Sequence, residues 1–325
     1  MLIGVGALAV GMRHRAAPGR AASPAAISPL DSGPLASFDS PGFADAEADS
    51  PRDVAPSVVR IVGQQEGAGV VVDSDGIVLT SADVVGNLPD VKVTFDDGPT
   101  LTGTNLGTDP VTNLAVVDLP GDGFEAARML GSTELSVDDT VLCAGVDDDG
   151  FRTIAGTVAA TRTTHSRGDG PTLDGVIKIT PVSVTSPQRL GCAVIDASGA
   201  VLAVTTSNDS LWYYATPIEV AHKVGNDVLE TGAARHAWIG IRSSDADGEP
   251  GVELAEVDDD GPAAGALRSF DVITELDGTP ASEMSALVSL LQAHEPGDDV
   301  EIAYERDGEP DVVTVVLATA RRADG

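Results

Sequence analysis

The chain has 325 residues, 51 of them acidic against 19 Lys and Arg, for a formal net charge of −32 at pH 7. A field of that sign repels nucleic acid and anionic lipid headgroups, and no basic stripe offsets it, so neither is expected as a partner. Aromatic residues make up 3% and apolar residues 42%, so the cores have to be built from Val, Leu, Ile and Ala, a palette that favours strands.

The length suits two domains and a tail. Residues 1–12 are apolar or glycine and are followed by Arg13, His14 and Arg15. Such a run is shorter than the about 20 residues that span a bilayer. It lacks a basic region in front, and its basic flank sits on the wrong side for an anchor. Residues 1–15 are therefore read as a short apolar segment, with a remnant of a membrane anchor and a plain tail both open. Residues 16–52 are rich in Ala, Pro, Ser and Asp without an apolar period, which predicts a disordered linker.

From 53 to 217 the pattern is short strands broken by Gly and Asp turns. Val58 to Val62 opens the series. Gly69 to Val72 and Ile77 to Thr80 flank an Asp73-Ser74-Asp75-Gly76 turn, a hairpin signal. Val91 to Phe95, Leu114 to Leu119, Thr140 to Ala144, Ile154 to Ala160, Val176 to Ile179, Ala193 to Ile195 and Val201 to Thr206 continue it. This predicts a mostly β barrel or sandwich architecture. Residues 218–234 read as a helix with apolar positions at Ile218, Ala221, Val224 and Val228.

The chemistry-bearing residues are few. Cys143 and Cys192 are the two cysteines. With no C-x-x-C and no Cys/His cluster, a zinc site is not expected. The Asp-rich turns at 147–150, 245–248 and 258–261 lack the spacing and terminal Glu of a calcium loop and are read as solvated. No metal and no cofactor is implied.

Three stretches carry a family pattern. They are Thr80-Ser81-Ala82-Asp83-Val84-Val85, then Gly107-Thr108-Asp109-Pro110-Val111-Thr112-Asn113-Leu114-Ala115-Val116, then Ser186-Pro187-Gln188-Arg189-Leu190-Gly191-Cys192-Ala193-Val194. Their order and spacing resemble the bacterial HtrA/Deg family of PDZ-bearing serine proteases, which reads T-N-x-H-V-V, G-T-D-x-x-T-D-L-A-V and N-P-G-N-S-G-G-P-L. The resemblance implies a trypsin-like double β-barrel over 53–217, a connecting helix over 218–234 and an α+β PDZ domain over 235–322. Within the last, Gly261 to Leu267 and Asp271 to Gly278 follow the family's P-A-A-x-A-G-L and G-D-V-I runs, and a helix is expected from Ser282 to His294.

Laid on the pattern, the base His becomes Asp83, the orienting Asp becomes Asn113 and the nucleophile Ser becomes Leu190. Leu190 carries no nucleophilic atom, so acyl transfer by the usual triad has no starting point. The oxyanion loop is altered at Gln188 and Arg189 before Gly191. Cys192, just beyond the nucleophile position, lies near Cys143 by the resemblance, and a disulfide and two buried thiols are both open. Of the five histidines, His14, His165, His222, His236 and His294, only His165 belongs to the barrels, in what the resemblance places as a solvated surface loop. The peptide groove of the PDZ domain keeps its parts: Ile239, Gly240 and Ile241 as the carboxylate loop, and Leu287 and Leu291 on the groove face of the helix.

The leading expectation is a catalytically inactive, extracytoplasmic HtrA-like protein. It would bind peptide C-termini or unfolded chains as a scaffold, sensor or holdase. The runner-up is an active serine-type or other endopeptidase with an unrecognised site. A third reading is a structural partner in a membrane-proximal complex, pairing with an active paralogue. Homo-oligomerisation is left open.

Overall fold

The computed structural model describes residues 50–320, except 97, 133–134, 169, 183–189 and 246–249. The expectations for 1–49 lie outside the described residues.

Twelve strands close into two barrels. The first runs β1 (Val58–Val62), β2 (Glu66–Val71), β3 (Ile77–Ser81), a one-turn helix α1 (Ala82–Val85), β4 (Asp90–Phe95), β5 (Thr100–Asp109) and β6 (Leu114–Asp118), closed in the order β1-β2-β3-β6-β5-β4. The second holds β7 (Thr140–Asp147), β8 (Gly150–His165), β9 (Leu173–Pro181), β10 (Ala193–Ile195), β11 (Val201–Asn208) and β12 (Tyr213–Pro217), closed as β10-β11-β12-β9-β8-β7. Alternation sets the faces. In β4 Val91 and Val93 are buried while Asp90 and Lys92 face solvent, as a period of two requires. The β2–β3 hairpin turns where Asp73 Oδ1 accepts the Asp75 N–H at 2.8 Å and Gly76 takes φ +97°, a conformation that favours glycine.

Each barrel has its own apolar core, valine-rich in the first, and a third cluster joins them. Val70, Ile77 and Leu114 of the first barrel meet Val146, Ile195 and Val201 of the second. The same cluster takes in Ile218, Val224 and Val228 of α2 (Ile218–Thr231), so the connecting helix is part of the inter-barrel seam. It stops short of the expected 234 because Gly232 adopts φ +79° and caps it.

The C-terminal domain begins with β13 (Ala237–Trp238) and β14 (Ile241–Asp245). It continues through β15 (Val252–Val257), β16 (Val272–Leu276), β17 (Thr279–Pro280), α3 (Met284–Gln292), β18 (Asp299–Arg306), β19 (Glu309–Val316) and β20 (Ala318–Thr319). The main sheet runs β14-β15-β16-β18-β19, with β17 beside β16, and β13 pairs β20 apart from it. The helix expected from Ser282 starts at Met284, since Glu283 is still extended at φ −154°.

Candidate functional site

The crevice between the barrels is built from three short pieces. Ser81 caps α1, its Oγ accepting the Asp83 N–H at 3.3 Å, so Asp83 stands on the first turn. Asn113 closes the turn between β5 and β6 in a left-handed conformation, φ +57°, which an Asn side chain tolerates. Its carbonyl accepts the Ala82 N–H at 2.8 Å, pinning the turn to α1. Leu190 then arrives from the second barrel, and its carbonyl accepts the Ala68 N–H at 2.8 Å. A Cβ on Gly67 would meet that same Leu190 oxygen at 2.8 Å and collide with Val84 of α1. The three pieces that carry these positions are therefore in contact.

There Asp83 and Asn113 bond to each other. The buried Asn113 amide donates to the Thr206 carbonyl (2.6 Å), to Asp83 Oδ2 (3.0 Å) and towards Ser81 Oγ (3.3 Å). Arg167 reaches across from the second barrel, placing Nη2 2.7 Å from Asp83 Oδ1 and 2.8 Å from Oδ2. The two side chains are 17% and 31% exposed respectively. Leu190 is half-buried and packs against the core of the first barrel. Gly191 takes φ +75°, donates its N–H to Thr205 O at 2.7 Å, and leaves no room for a Cβ beside the Ala68 carbonyl. Gln188 and Arg189 lie outside the described residues.

Arg167 is the site residue that sequence reasoning missed. No local pattern marks a cation that pairs with an acid 84 residues away. His165 is a correction. Strand β8 runs on past Ala160 to His165, so this residue is no solvated loop histidine. Its ring stacks on Tyr214 at 3.6 Å, and Nε2 sits 3.1 Å from Ser207 Oγ. Burial lowers its pKa, and Arg167 and Lys178 push the same way against Asp209.

Cys143 and Cys192 are both buried and both present as thiols. Burial pushes both pKa values up, that of Cys192 to about 12, so neither is a ready nucleophile. Among the described residues no group of three or more His, Cys, Asp or Glu side chains is placed to hold a metal ion.

The second candidate site is the groove between β14 and α3. Strand β14 is an edge of its sheet. Gly240 takes φ +82°, and a Cβ there would meet Gly261 Cα at 2.7 Å. A cavity of about 200 Å³ opens beside this loop, lined by Ile239, Ile241, Leu287, Val288 and Leu291, with Val111 from the first barrel. Leu287 and Leu291 are also members of the domain core. A larger cavity, about 390 Å³, lies at Phe95 and Phe124 and is lined by no residue of either site.

Residues 67–204 match the trypsin-like peptidase domain family and residues 237–317 the PDZ domain family. A probable periplasmic serine endoprotease, DegP-like, of Halomonas elongata is 28% identical over 270 residues, covering 77% of this chain and 56% of the relative. The serine protease PepD of Mycobacterium tuberculosis is 27% identical over 342 residues, covering 95% of this chain and 73% of the relative. The chain thus spans little more than half of the DegP-like relatives it matches. Among solved structures, the HtrA-type protease AlgW with tripeptide superposes with a TM-score of 0.63 at 23% identity, over 88% of this chain and 99% of that one. The same protease with decapeptide gives 0.59 at 21%, over 86% and 99%. In domain order and sequence this chain is similar to these serine proteases, and its fold is a trypsin-like double barrel joined to a PDZ domain.

Proposed function

We propose that this chain works by binding peptides in its PDZ groove and not by cutting them in its crevice. The observation that supports this is the Asp83 carboxylate, which is taken up by Arg167 and Asn113 where a catalytic base would have to stand. That carboxylate is engaged by a guanidinium and an amide and has no hydroxyl or thiol at the third position to act on. The third position, Leu190, has no proton to give. The groove, by contrast, offers an open sheet edge, a Φ-G-Φ loop and an apolar cavity, the elements of recognition by strand addition. The substrate class is a peptide or unfolded chain ending in an apolar residue with a free carboxylate, and the role that of a scaffold, sensor or holdase. The relatives named as periplasmic support an extracytoplasmic site of action. An active paralogue as partner fits a chain that keeps the fold and lacks the triad.

One observation favours the enzyme reading: the His165–Ser207 contact at 3.1 Å. A serine with a neutral imidazole beside it is the beginning of a nucleophile. Against it, Ser207 is 7% exposed. Moreover, Asp209, the nearby acid, already accepts from Leu211 N, Trp212 N and the Tyr214 hydroxyl. Both readings meet one experiment. The purified chain is treated with a fluorophosphonate probe and separately offered casein. No label and no cleavage above background are expected. Labelling lost in Ser207→Ala would establish the enzyme reading and end the binding-only one.

A further inference from the structure

The groove borrows a wall from the other domain. Val111 sits in the turn between β5 and β6 of the first barrel, 41% exposed, and lines the groove cavity together with residues of β14 and α3. The turn is held firmly. Buried Asp109 accepts the Val111 N–H on Oδ1 at 3.2 Å, and on Oδ2 the Thr112 N–H at 3.1 Å and the Thr112 hydroxyl at 2.5 Å. Asp109 Oδ1 also lies 3.0 Å from His236 Nε2, and His236 itself lines the cavity one residue before β13. A loop fixed by four such contacts presents Val111 as part of a preformed surface.

We propose that the peptide site is a two-domain site, in which Val111, positioned by Asp109 and His236, forms the wall that limits the apolar side chain accepted from a bound C-terminus. The proposal rests on the peptide-binding reading above. A cavity of about 200 Å³ suits one apolar side chain of modest size. Its barrel-side wall is a β-branched residue on a braced turn, so the size limit is set from outside the PDZ fold. The predicted ligand is a peptide ending in Val or Leu in preference to Phe.

The test uses the full chain and fluorescent peptides with a free C-terminal Val, Leu or Phe, followed by anisotropy. Val111→Asp should weaken binding of all three about tenfold or more, because it sets a charge against an apolar contact. Val111→Ala should shift the ranking towards Phe, a change in preference that a purely structural role would not produce. Val288→Glu, on the helix wall, serves as the groove control, and thermal melts confirm that each variant is folded. If the control weakens binding while both Val111 variants leave affinity and ranking unchanged, the two-domain inference is overturned and the peptide-binding reading stands. If none of the three peptides binds the unmodified chain, both fall together.

Discussion

The crevice and the groove are built from opposite materials. In the crevice, a carboxylate, a guanidinium, an amide and a hydroxyl face each other across two barrels and bond among themselves. In the groove, most of the wall residues are apolar and the neighbouring strand β14 is the last of its sheet. A polar site whose donors and acceptors are mutually satisfied gains little by opening, because a ligand must match bonds that already exist. An apolar site with an unextended sheet gains by being filled. The same chain has one site that is closed upon itself and one that is incomplete, and this difference carries the functional reading.

The comparison breaks most sharply at Asn113. Restoring the acidic residue of the family by Asn113→Asp would put a second carboxylate beside Asp83 and an acceptor against the Thr206 carbonyl, where the amide now donates at 2.6 Å. Repulsion and lost donors should lower stability by about 2–4 kcal/mol, read as a fall in the urea midpoint. Unchanged or raised stability would mean that the crevice network is not what holds the turn.

A smaller effect is expected at Leu190. Leu190→Ser removes an apolar side chain that packs on the first-barrel core and should cost about 1 kcal/mol, without conferring cleavage of casein. A higher melting temperature, or activity from that single change, would show a crevice still poised for catalysis.

The smallest effect is a pH dependence. Burial, Arg167 and Lys178 hold the His165 pKa below its usual value, opposed by Asp209. The unfolded chain therefore takes up this proton first. His165 contributes stability that is fully present above about pH 6.5 and is lost as the pH falls through that value towards the lower folded pKa. Comparing His165→Gln with the parent chain between about pH 5 and pH 8 should show a flatter profile in the variant over that window. Parallel profiles would mean that burial and the two nearby cations do not disfavour the charged ring.

The barrels and the C-terminal domain were legible because they are written locally. Alternating valines, Asp-Gly turns and the Ile239-Gly240-Ile241 loop each act within a few residues, where strand sterics and backbone conformation decide the outcome. The crevice was legible only as three positions. That Asp83 and Asn113 bond to each other, and that Arg167 seals them, depends on contacts between residues 30 and 84 apart, and charge pairing at that range leaves no periodic trace. His165 was misread for a related reason. The threonine-rich run Thr161-Arg162-Thr163-Thr164 extends β8 beyond the predicted stop, so a residue read as solvated lies against Tyr214. Val111 looked like a turn residue because it is one, and its second environment belongs to a domain that starts more than a hundred residues later.

Helix α3 has two neighbours. One face lines the groove. On the other side, Ser289 presses on β9 at Gly175, where a Cβ would stand 2.6 Å from the Ser289 Cβ, and the Ser285 hydroxyl lies 3.1 Å from the Arg162 carbonyl. A missing side chain on the barrel is thus matched to a small one on the helix. The two halves of this chain are consequently not interchangeable parts. A PDZ domain transplanted from a relative would seat on this barrel only if it brought a residue as small as serine to that point, and a barrel with any side chain in place of Gly175 would reject the domain it now carries. Grafting experiments on such proteins should move position 175 and position 289 as a pair.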